Sequence, residues 1–348
     1  MPVSPGLRGS GIGSSFKSET FRMVLRSLSG RPTGNLSDFM YVSASSNPFD
    51  KVSGQRGFAQ LVQAPLYYPK KAGRDVIEEN LEQLAKMLVG KIYISAGCGP
   101  IEAFIAKDAK ILERAKELGT LPKVVIIVDQ IKIQVDDVAD YLNHKYPEIT
   151  VIRCAESFQN LVPYFDKIRE TYPDHPLVVA WFGINAGNFE HSPTVPNPHG
   201  VSHIRNVLQF LKPGSKDELW MDADCCTNPH QIRRAYGNPV AARWALNLFY
   251  RMRREGVDVH GSDFKFKQIY NHRSGVSRMG AQPKKPITLR IHNKVFVLRK
   301  HHYLHYWTSA KMSIGHTQAI LKAAGSSPAR PPVVNQNRTV GLHFVRKL

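Results

Sequence analysis

The sequence predicts an α/β fold in which helices cover both faces of a parallel sheet, followed by a smaller α+β part. Between residues 91 and 222, short and nearly continuous Val, Ile and Leu runs alternate with amphipathic helical segments. Strands buried on both faces have this pattern. Right-handed crossovers between them then give a doubly wound sheet. After residue 228 the texture changes, and the short β segments indicate antiparallel pairing.

The elements are predicted in chain order. The strands of the sheet are expected at 91–96, 123–129, 150–154, 177–182 and 218–222. The helices between them are expected at 100–118, 135–144, 158–172 and 201–211. Beyond residue 228 we expect helices at 229–236 and 240–255, strands at 264–271, 287–292, 294–300 and 303–308, a helix at 314–324 and a last strand at 339–345.

The net charge of +19 is unevenly distributed along the 348 residues. Residues 1–75 hold 10 Lys/Arg and 4 Asp/Glu, residues 76–250 hold 18 and 21, and residues 251–348 hold 19 and 3. A balanced middle between basic ends predicts an anionic partner, with nucleic acid first and a membrane surface second. A device for solubility or a general compositional bias is the alternative.

The four cysteines show no disulfide framework, which is typical of a reduced, cytoplasmic protein. The apolar runs at 124–128 and 177–184 are far shorter than the roughly 20 residues of a membrane span. His301, His302 and His305 do not predict zinc, because only two of them share a strand face and no acid or cysteine is near. No metal site is expected.

A glycine turn follows the first predicted strand. Gly97 and Gly99 let the backbone approach a ligand closely, and Asp129 ends the second strand about 30 residues later. In Rossmann-type sites an acid in that place accepts the ribose hydroxyls of a nucleotide. Asp129 could instead be a helix cap or turn residue. Because the lysine-containing phosphate loop is missing, an adenosyl ligand without pyrophosphate fits better than ATP or NAD.

The order of the motifs resembles one family, the histidine Nα-methyltransferases of ergothioneine biosynthesis and their fungal relatives that methylate dimethylallyltryptophan. The resemblance covers roughly residues 46–348, and its most specific part is Gly187-Asn188-Phe189 followed by Ala235-Tyr236. The segments that carry it are 49–52 with 66–70, 95–99, 128–129, 155–158, 182–189, 228–229 with 235–239, 246–248 and 307–311.

The resemblance implies a Rossmann-like class I methyltransferase sheet with a second, mixed α+β substrate-binding domain, and S-adenosylmethionine as cofactor. It implies these cofactor-binding residues: Gly97, Cys98, Gly99, Asp129, Glu156, Ser157 and Gly183. It implies these substrate-binding residues, of which Asn188 and Tyr236 would be catalytic: Tyr68, Asn188, Tyr236, Met279, Trp307 and Ser309.

The expected domains combine this resemblance with the Ser- and Gly-rich composition of the N-terminus. A basic, disordered arm (1–45) precedes the N-terminal part of the substrate domain (46–90). The S-adenosylmethionine-binding domain (91–228) is followed by a substrate-binding insertion (229–312) and a return to the Rossmann-like domain (313–348).

Four positions depart from the family pattern. Ser95 replaces the acid that opens the glycine turn, Ala103 replaces a lysine, and Asn238 replaces an Asp. Trp307 takes the place of the Glu that holds the imidazole of histidine, and its loss should disfavour histidine because an imidazole N–H would remain unpaired. The indole offers a stacking face to an aromatic group or a base, unless it is only core packing.

Three functions remain open. The first is N-methylation of an amino acid or amine with an aromatic side chain. The second is an RNA-directed methyltransferase, acting on a cap or a base through the basic C-terminal third, with Trp307, Tyr303 or Tyr306 as stacking platforms. The third is a degenerate, non-catalytic binding protein, suggested by Ser95 and Ala103.

Overall fold

A computed structural model describes residues 60–61, 63–156, 161–188, 198–254, 257–291, 294–300 and 302–348. The predicted basic arm, Ser157, Phe189 and His301 lie outside these ranges. The chain divides into two compact units. We call the first the sheet unit, which comprises Tyr68–Pro229, Asn271–Val276 and Ser309–Leu348. We call the second the basic unit, which comprises 60–67, His230–Tyr270 and Ser277–Thr308.

The sheet unit contains a seven-stranded mixed sheet. Its strands are β1 (Ile92–Ala96), β2 (Val124–Val128), β3 (Thr150–Cys154), β4 (Leu177–Trp181), β5 (Glu218–Asp224), β11 (Ser326–Val334) and β12 (Val340–Lys347). They lie in the order β11-β12-β5-β4-β1-β2-β3. The pairs among β1 to β5 are parallel, whereas β12 is antiparallel to both β5 and β11. The carboxyl ends of the five parallel strands therefore share one edge of the sheet.

Helices and core side chains cover both faces of this sheet. The helices are α1 (Tyr68–Glu78), α2 (Leu81–Lys86), α3 (Ile101–Ile105), α4 (Asp108–Glu117), α5 (Lys132–Lys145), α6 (Val162–Thr171), α7 (Pro198–Leu208) and α10 (Ile314–Ala323). Side chains alternate along each strand, so Ile94 and Ile126 belong to one buried cluster while Tyr93 and Val125 belong to the other. Because both faces are covered, β1, β2 and β4 are buried throughout.

The basic unit is built from two helices and antiparallel strands. The helices are α8 (Pro229–Tyr236) and α9 (Pro239–Arg254), and the strands are β6 (Phe264–Asn271), β7 (Val276–Pro283), β8 (Ile287–Ile291), β9 (Lys294–Leu298) and β10 (Leu304–Ala310). β6, β7 and β10 form a three-stranded sheet in the order β10-β7-β6. β8 and β9 form an antiparallel hairpin.

The predicted helix at 100–118 is wrong as a single element. The chain leaves the helical conformation at Lys107, where φ is −135° and ψ is −79°, and α4 starts anew at Asp108. The interruption turns the Asp108 side chain into the core, where the Tyr93 hydroxyl donates to it over 2.9 Å. The hydrophobic period continues through the interruption, so the sequence pattern does not reveal it.

Two strands were not predicted. β11 contains Pro328, Pro331 and Pro332, which cannot donate to a ladder, and it is tolerated because it lies at the edge of the sheet. β7 contains Gly280 and few β-branched residues, so its sequence lacks the usual strand signal. No helix within the described part of the chain is long and apolar enough to cross a membrane.

Candidate active site

The glycine turn joins β1 to α3. Gly97 and Gly99 adopt left-handed conformations with φ of 75° and 65°. The N–H groups of Gly97 and Cys98 both donate to the Val128 carbonyl, over 2.8 and 3.1 Å. These bonds hold the turn against the end of β2, the strand that Asp129 follows. Other residue types tolerate this backbone poorly, which explains the two glycines.

The Asp129 carboxylate lies beside the turn. One oxygen accepts the Gly99 N–H over 3.1 Å, and the other accepts the Ile131 N–H over 3.0 Å. The bond from Ile131 is the local turn contact that the sequence allowed as an alternative. The bond from Gly99 directs the carboxylate at the glycine turn. Burial raises the pKa of Asp129, partly offset by the backbone N–H donors.

These residues fit an adenosyl group. Beyond its two chain neighbours, a Cβ on Gly99 would meet only the Ala103 Cβ among the described residues, at 3.9 Å, which leaves room in front of the turn. Each carboxylate oxygen of Asp129 keeps acceptor capacity for a ribose hydroxyl. The Cys98 thiol is buried, and burial with the nearby Asp129 and Asp108 charges raises its pKa, so it is a neutral packing group.

A buried carboxylate lies beside Ser95. The hydroxyls of Tyr93 and Ser95 both bond to Asp108, whose pKa is raised by burial and lowered in turn by the Lys107 charge. Thus α4 supplies a carboxylate beside the position where the strand carries a serine. The departure at Ser95 therefore does not leave this part of the sheet without an acid.

The loop after β4 carries Asn188 and is held by Asp222. The Asp222 carboxylate, at the carboxyl end of β5, accepts the N–H groups of Gly183 and Ile184 over 2.9 and 2.7 Å. Ile184 has a φ of 62°, an uncommon conformation for a β-branched residue. A 3-10 turn, Asn185–Asn188, then places Asn188 in a half-buried position. The strained loop is therefore fixed by a fully buried acid.

The same turn packs against the chain near Ser309. A Cβ on Gly187 would lie 2.9 Å from the Ala310 carbonyl oxygen, a distance that real Cβ atoms avoid. Only glycine allows this approach, which brings the segment carrying Asn188 next to Ala310 and thus to the neighbouring Ser309.

A buried ion pair, Lys311 with Asp224, links the predicted substrate residues Tyr68 and Ser309. Lys311 and Asp224 are fully buried and lie 2.7 Å apart. Lys311 Nζ also donates to Ser309 Oγ over 2.6 Å. The Tyr68 hydroxyl donates to both oxygens of Asp224, over 3.0 and 2.8 Å. Tyr68 and Ser309 are therefore attached to opposite ends of one charged network.

The basic unit brings two predicted substrate residues, Tyr236 and Trp307, into an aromatic cluster. Trp307 packs edge-to-face on Tyr236 (centroids 5.4 Å apart) and on Trp244 (5.0 Å), and Tyr67 packs edge-to-face on Tyr236 at 5.5 Å. Tyr236, Trp307 and Met279 are all buried. Asn238 caps α9, because its Oδ1 accepts the N–H groups of Val240 and Ala241, each over 2.9 Å.

The predicted site residues thus fall into three groups. The first group is the glycine turn with its acid: Gly97, Cys98, Gly99 and Asp129. Glu156 lies nearby, after β3. Burial, with the Glu156 charge as a second cause, raises the pKa of Cys154 to about 11. Gly183, Asn188, Tyr68 and Ser309 lie around Asp222 and Asp224 in the sheet unit. Tyr236, Trp307 and Met279 belong to the basic unit.

The sequence patterns did not single out Asp108, Asp222 or Asp224. The last two close β5, and the rule that singled out Asp129, an acid at the carboxyl end of a parallel strand, applies to them as well. Asp108 gives no such signal, because it lies inside a helical pattern. Among the described residues, no group of three or more His, Cys, Asp or Glu could hold a metal ion.

A Rossmann-like sheet with a glycine turn, an acid after β2 and an antiparallel strand beside β5 defines a class I methyltransferase architecture. The chain belongs to the family described as "Histidine-specific methyltransferase, SAM-dependent", which matches residues 24–347. Its cofactor is accordingly S-adenosylmethionine. No curated protein matches the sequence.

Several solved structures are similar to the chain. The CcbJ methyltransferase from Streptomyces caelestis is 10% identical, over 83% of this chain and 98% of that one, with a TM-score of 0.38. The mitomycin 7-O-methyltransferase MmcR is 10% identical over 97% and 69%, with a TM-score of 0.44. A possible exported protein from Bordetella parapertussis is 14% identical over 98% and 99%, with a TM-score of 0.43. Since every TM-score is below 0.5, these likenesses add nothing to the assignment.

Proposed function

We propose that the protein transfers a methyl group from S-adenosylmethionine to the nitrogen of an amino acid or amine with an aromatic side chain, and that histidine is a poor substrate. The observation that carries this proposal is the environment of Trp307. The indole is buried against Tyr236 and Trp244, where the family places a carboxylate for the imidazole.

The charge of the basic unit supports the exclusion of histidine. In the described part of that unit the only carboxylates are Asp258, with a side chain 96% exposed, and Asp263, with a side chain 31% exposed. Neither lies in the aromatic cluster. A buried imidazole N–H without an acceptor costs about 1–3 kcal/mol, whereas an aromatic hydrocarbon ring gains from edge-to-face packing.

The Tyr68 network supports an amine as the acceptor. The Tyr68 hydroxyl donates to Asp224 and also contacts the Cys226 thiol. A phenol oxygen can accept an N–H group as well as donate. Asn188 adds an amide that can accept from an amine or donate to a carboxylate. We assign the gripping of the amino and carboxylate groups to Asn188 and Tyr236, with Tyr68 closing the pocket.

The chemistry needs positioning more than covalent help. The cofactor, when bound, supplies a methyl group already activated on a sulfonium sulfur. Gly97, Gly99, Asp129, Glu156 and Gly183 would hold it at the carboxyl edge of the sheet. The amine must be neutral to attack, so Asn188 and Tyr236 are assigned to accept its N–H groups and orient its lone pair. The aromatic cluster would exclude water from the aromatic side chain of the substrate.

A methyl-transfer screen tests this proposal. Labelled S-adenosylmethionine is offered with aromatic amino acids, arylalkylamines, histidine and capped RNA. We expect transfer to an aromatic amine or amino acid in preference to histidine. Asn188→Ala should abolish that transfer and leave S-adenosylhomocysteine binding intact, while Asn143→Ala, an exposed position on α5, should match the wild type. A wild-type rate for Asn188→Ala would remove the substrate assignment.

A second candidate is RNA-directed methylation. It is favoured by the charge of the basic unit, whose residues 60–67, 230–270 and 277–308 hold 15 Lys/Arg against 3 Asp/Glu. Transfer to capped RNA, and to none of the small amines in the same screen, would favour this candidate over the first.

A further inference from the structure

The basic unit has a sheet face whose side chains are not used by the proposed methyl transfer. Along β6, Gln268 bonds to Ser277 of β7 over 2.8 Å, which shows that these two residues share a face. This inner face carries Phe264, which stacks on Phe249 of α9 with centroids 3.8 Å apart. By the alternation of strands, the odd-numbered residues of β6 and the even-numbered residues of β7 share the other, outer face.

The outer face is basic. Lys265 and Lys267 are exposed on β6, and Arg278 is exposed on β7. Lys284 and Lys285 follow β7 and are exposed as well. Among the described residues of the basic unit, the acid paired with these cations is Asp263, which Lys285 approaches to 3.9 Å. With one carboxylate beside five cations, this face attracts anions.

An aromatic ring lies across the same face. A Cβ on Gly280 would clash with the Leu304 carbonyl oxygen and would lie 2.7 and 2.9 Å from two Tyr303 ring atoms, so the Tyr303 ring packs closely beside this glycine. The Tyr303 hydroxyl reaches the Lys267 carbonyl over 3.4 Å, and the His305 ring is inclined by only 26° to the Tyr303 ring, with centroids 6.5 Å apart. Burial raises the pKa of the Tyr303 phenol, and the Arg278 charge partly offsets this shift. Tyr303, rather than the buried Trp307, is the aromatic group placed among the exposed cations.

We propose that the outer face of β6 and β7, with Tyr303 at its centre, binds single-stranded nucleic acid. Lysines at alternate positions on β6 suit the phosphates of a strand, and the half-buried Tyr303 ring suits a stacked base. On this face of β6, all of whose residues the structure describes, Ile269 is the one exposed large apolar side chain and lies beside two exposed lysines, whereas binding to a membrane surface needs several projecting apolar side chains. This inference does not depend on the acceptor of the methyl group.

Binding of a labelled 12-nucleotide oligouridylate to the full chain, measured by fluorescence anisotropy over a salt series, tests the lysines. We expect Lys265→Gln with Lys267→Gln to weaken binding about tenfold at low salt and to flatten the salt slope by about 1.4, which is the loss of two phosphate contacts. The matched control removes the same charge from the sheet unit by Lys123→Gln with Lys216→Gln, both exposed, and should bind as the wild type does.

Substitutions at Tyr303 test the stacking. Tyr303→Leu should weaken oligouridylate binding about tenfold and leave the binding of inorganic polyphosphate unchanged, since polyphosphate has no bases. Tyr303→Phe keeps the ring and should match the wild type.

The proposal is overturned if wild-type protein does not bind the oligonucleotide at low salt, or if the control pair weakens binding as much as the β6 pair. It is also overturned if only phosphatidylserine vesicles bind in a manner that depends on Lys265 and Lys267. Because S-adenosylhomocysteine binding and methyl transfer are measured separately, failure here leaves the proposed enzyme function untouched.

Discussion

Acids at the carboxyl edge of the parallel strands fix the local geometry of the candidate site. Asp129 organises the glycine turn, Asp222 holds the loop that carries Asn188, and Asp224 anchors Tyr68. Each accepts hydrogen bonds in a place where an unpaired carboxylate would be costly. The side chains proposed to contact ligand in the sheet unit are thus positioned by acids of which Asp222 and Asp224 are fully buried and Asp129 is half-buried.

The Asp224–Lys311 pair permits a double-mutant cycle. Lys311→Met should destabilise the protein by about 3–5 kcal/mol, because Asp224 would remain charged in a fully buried position. Asp224→Asn together with Lys311→Met should cost about 2 kcal/mol less than the sum of the single changes. Denaturant unfolding of the four proteins measures the coupling. Additive effects, within about 0.5 kcal/mol, would show that the pair contributes no coupling.

The sequence alone could not identify residues whose importance comes from contacts with distant parts of the chain. Asp129 was identified from its place after a predicted strand. Asp224 was not, because its importance comes from Tyr68, 156 residues away in the chain. Asn238 departs from the family pattern, yet its role as the cap of α9 is visible only once the helix start is known.

The 3-10 turn at Asn185–Asn188 is the element on which substrate placement depends most. Gly187→Ala would put a methyl group about 2.9 Å from the Ala310 carbonyl oxygen, so the turn must move. We expect KM for the amine to rise, or kcat to fall, by about 10- to 100-fold, with cofactor affinity unchanged. Steady-state kinetics and calorimetry separate the two effects.

Gly315→Ala is the matched control for that substitution. A Cβ there would meet no atom within 4 Å, and the residue lies in the first turn of α10. It should leave the kinetics unchanged and raise stability slightly, by at most about 1 kcal/mol. Wild-type kinetics for both variants would mean that the close approach at Gly187 does not position Asn188.

The elements themselves were predictable where the pattern was strong. β3, α8 and β6 match their predicted bounds, since each has clear periodicity and clear ends. β11 escaped prediction because its three prolines argue against a strand, and only its position at the sheet edge makes them tolerable. Edge position is a property of the assembled sheet and cannot be read from a local sequence.

The free energy of unfolding should fall at acidic pH in part because His343 becomes protonated. The residue is 1% exposed on β12, and burial lowers its pKa to about 4 from 6.5. Because the folded-state pKa is depressed, the neutral imidazole contributes stability above pH 6.5 that is lost as the pH falls towards 4.

Between pH 7 and 4.5 the wild-type protein should therefore lose about 2 kcal/mol that His343→Leu does not lose. Denaturant unfolding at the two pH values measures the difference. Equal pH dependence of the two proteins would show that His343 titrates normally in the fold.

Charge distinguishes the two units as whole bodies. The basic unit carries a net charge of +12, whereas the sheet unit carries +3. The sequence already indicated this asymmetry, but not that Trp307 is buried while Tyr303 lies among exposed lysines. The proposed nucleic-acid surface and the aromatic cluster around Trp307 thus use different residues of the basic unit.

Calorimetric titration with S-adenosylhomocysteine tests most directly whether the glycine turn and Asp129 form the cofactor site. The wild-type protein should bind, and Asp129→Ala should weaken binding about 100-fold through the loss of charge-assisted hydrogen bonds. Asp137→Ala, which removes an exposed acid of α5, should leave the affinity unchanged. Failure of the wild-type protein to bind, or equal affinity for wild type and Asp129→Ala, would contradict the assignment.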